Sequence, residues 1–386
     1  MASQETKAEQ FREVDFDLHG LVGIRLLDAS PRDAAVVGRQ VGPIQAPLDR
    51  EPDITIRFVD RLPLSSSLRY LGVEDTGFSD NSLLLLQGKN GTPVRVQIPF
   101  EQIGKRCEIV CERGLSKVPL LIPILNLTVL SKGIIPLHAA AFTYQGTGIV
   151  VTGWAKGGKT ETLLAFMARG AVYVGDEWIY LSTDGRRMYG IPEPIRVWQS
   201  HLQDLPEFRD RIAFSDRAKL GTLKLFVKLA EQSSRNGNKV SALHLSSRLV
   251  RLLKRQQYVQ LSPQQLFGSQ LRPFICKPEK IFFVVSHETA DVKVEPVDPQ
   301  EVARRMVFSL QQERLDFMSY YLKFRFAFPE LRNEFIEQAE DIQRALLSQA
   351  LADKPCYAVY HPYPAPIPAL FDAINPLLTR SCSPLH

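Results

Sequence analysis

The chain has 386 residues, of which 45% are hydrophobic and 23% charged, with a formal net charge of +5. That length suits two domains or one large domain with insertions, and the composition excludes wholesale disorder, a collagen rod and a coiled-coil rod. So mild a basic excess makes no case for a surface that coats nucleic acid, and no nucleic-acid partner is expected.

The opening stretch MASQETKAEQFREVDFD lacks an apolar signal core. The most apolar run, Val118 to Leu130, is broken by prolines and falls short of the roughly 20 residues that a membrane helix needs. A cytoplasmic protein without membrane contact is expected. Residues 1–130 read as a β-rich domain, with alternating or β-branched runs at Leu21 to Leu27, Asp53 to Val59 and Val94 to Ile98. Asn90-Gly91, between Leu83–Gln87 and Val94–Ile98, is a hairpin signal because both central positions tolerate positive φ. Cys107 and Cys111 have no second Cys/His pair at zinc spacing, so RCEIVCERG reads as a strand carrying thiols. Nothing here carries chemistry, and the domain reads as scaffold or partner surface.

From Ile134 the texture becomes α/β. Ile135 to Tyr144 and Gly148 to Thr152 are apolar strands, Thr160 to Arg169 is a helix ending at Gly170, and Ala171 to Val174 is a short strand leading into Gly175-Asp176-Glu177. Asp184-Gly185 marks another hairpin. Residues 200–350 read as a helix-rich insertion in a domain spanning 131–386, with a polar loop at Ser233 to Asn238, a strand at Lys280 to Ser286, and long helices over Pro299 to Phe328 and Asn333 to Leu351. A strand at Pro355 to Tyr360 and a helix from Ala365 to Leu378 close the fold.

The string Gly153-Trp154-Ala155-Lys156-Gly157-Gly158-Lys159-Thr160 fits G-x-x-x-x-G-K-[ST]. In that loop backbone N–H groups wrap phosphates, Lys neutralises β/γ oxygens and Thr holds Mg²⁺. Its position between an apolar strand and a helix would set the phosphates on a helix N-terminus, where the macrodipole favours anions. Asp176 and Glu177 follow the next strand, where one acid can hold Mg²⁺ and the other accept a hydroxyl proton, although neighbours on an extended strand point to opposite faces. By itself, His138 in its apolar run reads as a satisfied core histidine, and Glu161 as an acid favouring the helix dipole.

Taken together these pieces resemble the catalytic domain of HPr kinase/phosphorylase, within the group sharing the phosphoenolpyruvate-carboxykinase-like nucleotide-binding fold. The resemblance rests on His138, the turn Gly146–Gly148, the loop Gly153 to Thr160, Glu161 and the pair Asp176-Glu177, in that order and spacing. It covers about Ile134 to Leu181 and, more thinly, the last thirty or so residues. The Gly175-Asp176-Glu177-Trp178 string is also similar to the metal-site run of the carboxykinases. The resemblance implies an α/β P-loop domain that uses ATP, with GTP left open, and Mg²⁺ held among Thr160, Glu161, Asp176 and Glu177. It further implies that Asp176 is the base, with Glu177 and His138 completing the catalytic set.

The pair is Asp-Glu where the bacterial kinase has two aspartates, the loop is bulky at Trp154 and basic at Lys156, and the Gly-rich segment that engages HPr is missing. The expected acceptor is therefore a hydroxyl on a protein, a peptide or a small molecule, but not on HPr itself; a homo-oligomer is left open. The rival expectation is a regulatory or assembly module that binds nucleotide with slow or no turnover. A decarboxylating carboxykinase is weaker, for want of a second basic and metal-ligand set.

Overall fold

The run Ile54-Thr55-Ile56-Arg57-Phe58-Val59 alternates apolar with polar side chains, and Ile54, Ile56 and Phe58 are buried, as in a strand with one dry face. Such runs assemble an eight-stranded sheet in the order β1 (Arg12–Leu18), β2 (Val22–Ala29), β3 (Ile54–Val59), β8 (Cys107–Glu112), β7 (Thr92–Ile98), β6 (Ser82–Lys89), β5 (Thr76–Ser79) and β4 (Arg69–Tyr70). The structure, a computed structural model, describes residues 12–63, 69–70, 76–79, 82–89, 92–236, 253, 257–268, 271 and 274–378. The turn expected at Asn90-Gly91 lies outside the described residues, while β6 and β7 on either side of it pair in antiparallel register up to Lys89 opposite Thr92. Cys107 and Cys111 are buried on β8, and burial pushes the Cys107 thiol up to about 12 and Cys111 up as well. Thiols so hard to deprotonate are core packing.

Two helices accompany this sheet in the largely extended first 130 residues. Helix α1 (Pro31–Val41) starts at a capping box, in which the Ser30 hydroxyl accepts from the Asp33 amide and the Asp33 carboxylate accepts from the Ser30 amide. Helix α2 (Leu121–Ser131) takes the apolar run that prolines interrupt. It is apolar on every side, and Leu121, Ile124, Leu125 and Leu127 are all buried; a helix of that kind must be covered all round. The cover comes from the first sheet on one side and the second sheet on the other. Phe317, Tyr321 and Phe324, from far along the chain, complete this core.

The second sheet runs β16 (Ile275–Cys276), β13 (Met188–Gly190), β12 (Trp178–Ser182), β9 (Ile134–Tyr144), β10 (Thr147–Gly153), β17 (Lys280–Ser286), β19 (Cys356–His361) and β18 (Lys293–Pro296), with β11 (Val172–Gly175) also pairing with β9. Strands β10, β17 and β19 are parallel, whereas β9 is antiparallel to β10, β11 and β12. The architecture is thus mixed α/β with parallel and antiparallel pairings. Its central strands are nearly continuous apolar runs because both faces are covered. Ala140, Phe142, Ile149 and Val151 face helix α3 (Lys159–Met167) and the helix Ile367–Ile374, while Ala139, Ala141 and Val150 face the helices Pro299–Ala327 and Glu334–Leu351. Phe142 stacks on Phe166 of α3 at 4.9 Å between centroids, a contact worth about 0.5–1.5 kcal/mol beyond burial.

The stretch 200–350 is more than a helical insertion. It supplies β17, the direct neighbour of the strand that feeds the phosphate loop, and the long helix Pro299–Ala327 that lies against that loop. The expected loop at Ser233 to Asn238 is also corrected: residues 233–236 finish the helix Phe214–Asn236, and Gly237 and Asn238 lie outside the described residues. The Asp184-Gly185 hairpin joins β12 to β13, with Gly185 at φ 63° and the Asp184 carboxylate accepting from the Arg186 amide. Among the described residues no helix is long and apolar enough to cross a membrane.

Candidate active site

Strand β10 ends in Gly153, whose added Cβ would lie 2.5 Å from the Val284 carbonyl of β17, so the loop can leave the sheet here only without a side chain. Gly158, at φ 99°, is the N-cap of α3 and brings no capping side chain. The first amides of α3 are therefore left for an outside acceptor, which is what an anion at a helix N-terminus requires. Lys159 is buried beneath the loop, and its Nζ donates to the Trp154 carbonyl at 2.8 Å. Burial lowers its pKa, and the surrounding carboxylates of Glu177, Asp176, Glu313 and Glu161 act against that. Trp154 and Lys156 are exposed at the loop's outer side, with Ala155 between them.

The two acids reach this loop by a route that a simple parallel sheet would not give. Strand β9 stands between β10 and β11, so β11 is not the loop strand's neighbour. Being antiparallel to both, it makes β10 and β11 run the same way, and their carboxyl ends fall on the same level. Ala139 marks that level: it pairs with Thr152 on one side and its amide donates to the Glu177 carbonyl at 3.1 Å on the other. As expected, Asp176 and Glu177 directly follow a short strand, β11, at its carboxyl end. They form a bend between β11 and β12, both of which pair with β9, just after a register shift between Tyr173 and Gly175, and Glu177 sits at φ 67°. The left-handed residue breaks the alternation of an extended strand, so both side chains serve one site.

Asp176 is buried and accepts from the Thr160 hydroxyl at 3.0 Å through Oδ2. Burial, reinforced by the charge of Glu177, raises its carboxyl to about 7. Glu177 turns to His138, with 3.1 Å between Oε2 and Nε2, and this bond holds Glu177 below the usual carboxylate range despite burial. On its far side His138 Nδ1 lies 3.1 Å from the Glu313 carboxylate, on the long helix Pro299–Ala327. Burial alone would lower the His138 pKa, but the two carboxylates outweigh it and the value is raised. The Trp178 ring lies 5.7 Å from the His138 ring, its cross-strand partner.

Glu161 does not join this group. Its carboxylate pairs with buried His201 at 3.1 Å, and that bond lowers its pKa against the effect of burial. Thr160, Asp176, Glu177 and His138 are thus brought together, and Glu161 is turned aside. Among the described residues no group of three or more His, Cys, Asp or Glu side chains is arranged to hold a metal. Thr160 and Asp176 are nevertheless hard oxygen donors side by side, which suits Mg²⁺, an ion that takes one or two protein oxygens and completes its shell with phosphate and water.

Four site residues escaped sequence reasoning. Glu313 looks like an ordinary solvent-facing acid of a long helix. Glu193 has one carboxylate oxygen buried without a hydrogen-bond partner among the described residues, and burial with repulsion from Glu177 and Asp176 pushes its pKa well up. His201 lies in a stretch that reads only as charged and helix-prone. His361 is fully buried under the loop, with Nε2 2.8 Å from the Gly157 carbonyl. A signal existed for His361 alone, since it closes a strand expected over 355–360 and strands parallel to the loop strand end beside the loop. No protein-family model and no curated protein matches this chain.

Proposed function

We propose that the chain is an ATP- and Mg²⁺-dependent kinase of the HPr-kinase-like group, with the carboxykinase-like P-loop fold, that transfers the γ-phosphoryl to a hydroxyl. The observation that carries this reading is the 3.0 Å bond between the Thr160 hydroxyl of the phosphate loop and the buried Asp176 carboxylate, backed by Glu177, His138 and Glu313. A loop that bound phosphate as a mere regulatory handle would not need a desolvated acid against its threonine.

In this reading the uncapped amides of α3 and the Lys159 ammonium bind the phosphates, the ammonium exchanging the Trp154 carbonyl for a phosphate oxygen. Thr160 and Asp176 would hold Mg²⁺, which when bound neutralises charge building on the phosphate oxygens. Asp176, whose carboxylate lies 3.0 Å from the loop's Thr160 hydroxyl, accepts the hydroxyl proton. Glu177 stays ionised on His138, and Glu313 fixes the ring from behind. Positioning and charge neutralisation do most of the work, as phosphoryl transfer requires.

The test is purified protein with γ-labelled ATP, Mg²⁺ and candidate hydroxyl acceptors, including HPr, which should stay unlabelled. Asp176→Asn should cut turnover by about 10²–10⁴-fold while nucleotide binding changes much less. Tight binding without ADP release, in the wild type and with every acceptor, would put a nucleotide-binding regulatory module in the kinase's place.

A further inference from the structure

His361 closes β19 fully buried beneath the phosphate loop, and none of the transfer chemistry falls to it. Its backbone is fixed by pairing with Ser286 of β17, and its carbonyl accepts from the His287 amide at 2.7 Å. Its ring fits against the bare Cα of Gly158, where an added Cβ would lie 2.7 Å from Nε2. Both ring nitrogens meet carbonyl oxygens, Nε2 that of Gly157 and Nδ1 that of Pro362, each at 2.8 Å. A neutral imidazole has one N–H and one lone pair, so it can satisfy one of these acceptors and must set its lone pair against the other. Only the imidazolium has two N–H donors. Among the described residues no carboxylate lies within ion-pair distance of this ring, and Glu161 of α3 is committed to His201. Burial raises the Glu161 carboxyl, the His201 bond and charge more than offset this, and the His361 charge lowers it further. Lys159 is the other buried cation of the loop, whereas Lys156 on the loop, His287 after β17, Lys293 on β18 and Asp372 on the helix Ile367–Ile374 are exposed. A buried cation held by carbonyl dipoles alone is undercompensated, and an anion on the loop completes it.

We propose that His361 is a positioning residue for the nucleotide phosphates, an imidazolium that holds the Gly157 carbonyl beneath the loop and gives the loop a second buried positive charge beside Lys159. The inference rests on the loop's binding phosphate, as the kinase reading requires, and goes beyond it by tying that binding to one proton. The peptide between Gly157 and Gly158 is trans, so a carbonyl drawn toward His361 sends the Gly158 N–H in the opposite direction, away from the buried ring. That amide then joins the uncapped amides of α3 as a donor to an anion. Phosphate and proton favour each other: an anion on the loop stabilises the imidazolium, and by reciprocity the imidazolium strengthens anion binding. ATP affinity therefore contains a component from His361 that rises as pH falls.

The first measurement is calorimetric titration of MgATP at pH 6, 7 and 8 into wild type, His361→Gln and His361→Leu, with inorganic triphosphate as a second probe. Gln keeps a donor for the Gly157 carbonyl without the charge, and Leu removes both. The titrations of ATP itself, His138 and Asp176 are common to all three proteins and largely cancel. Between pH 6 and pH 8 wild type should lose about tenfold more affinity than His361→Gln, within the limit of about tenfold per pH unit that one proton allows. At pH 8 His361→Leu should bind about twofold to tenfold more weakly than His361→Gln, the worth of one hydrogen bond. The second measurement needs no variant to fold: long-range ¹H–¹⁵N correlation on wild type with ¹⁵N-labelled histidine rings and bound MgATP at pH 7, in which both nitrogens of His361 should carry protons. A neutral tautomer there, or a pH dependence unchanged in His361→Gln, overturns the proposal and leaves the kinase reading standing. A wild-type protein that binds neither MgATP nor triphosphate overturns both.

Discussion

Replacing Asp176 by Asn tests whether the acid against the phosphate loop is as desolvated as its surroundings imply. The native carboxyl titrates at about 7, against 3.8 for the free group, because burial and the Glu177 charge disfavour its ionised form. The native state therefore binds this proton more tightly than the unfolded chain, and stability falls as pH rises through the window between those values. Integrated from pH 5 to pH 8, the loss is about 3 kcal/mol, as an order of magnitude. An Asn side chain keeps the volume and an acceptor for the Thr160 hydroxyl but has no proton to lose. The variant should thus lose about 3 kcal/mol less than wild type between the two pH values, whatever its stability at either one. For a chain of 386 residues, with an unfolding entropy near 0.8 kcal/mol/K, that is a difference of about 3–4 °C in Tm. Denaturant unfolding at pH 5, 6, 7 and 8, without nucleotide or Mg²⁺, makes the comparison. His138 also has a raised pKa and costs stability as pH rises, but it is present in both proteins and largely cancels. Parallel stability profiles for variant and wild type would mean that Asp176 is ionised and solvated throughout, and the case for it as a base would fall.

Lys159→Met should weaken ATP binding by tenfold to a hundredfold, or about 1.4–3 kcal/mol, read by calorimetric titration of the folded variant; unchanged affinity would make the loop a turn and no more. Glu313→Gln and Glu177→Gln should each lower the His138 pKa in an NMR titration of the ring, because each removes a carboxylate that holds it up. A ring that titrates as in wild type would remove Glu313 from the site. Gly158→Ala should destabilise the fold by about 2–4 kcal/mol in chemical denaturation, since the residue sits at φ 99° with its added Cβ 2.7 Å from His361 Nε2. A loss under about 1 kcal/mol would show that His361 yields easily and does not brace the loop.

Most strands and helices were legible in the sequence wherever a local pattern specified them. The apolar runs that became β9, β10, β17 and β19, the helix after the phosphate loop and the glycine-lysine-threonine string are all short-range signals, set by backbone geometry and periodicity. Helix α2 was hidden because an apolar run with no polar face carries no period to read, and its burial depends on two sheets that meet from distant parts of the chain. The candidate site divides in the same way. Its loop and the adjacent Asp176 and Glu177 were visible, but which strand separates them, and that a left-handed Glu177 turns both acids to one side, followed from the pairing of β9 with β10 and β11. Glu161 and His201, and likewise His138 and Glu313, became partners through packing of segments 40 and 175 positions apart (161 to 201, 138 to 313). The local chain determined which residues could do chemistry. Only the tertiary fold decided which carboxylates lost their water and which met a histidine, because desolvation and charge pairing depend on neighbours that no local pattern names.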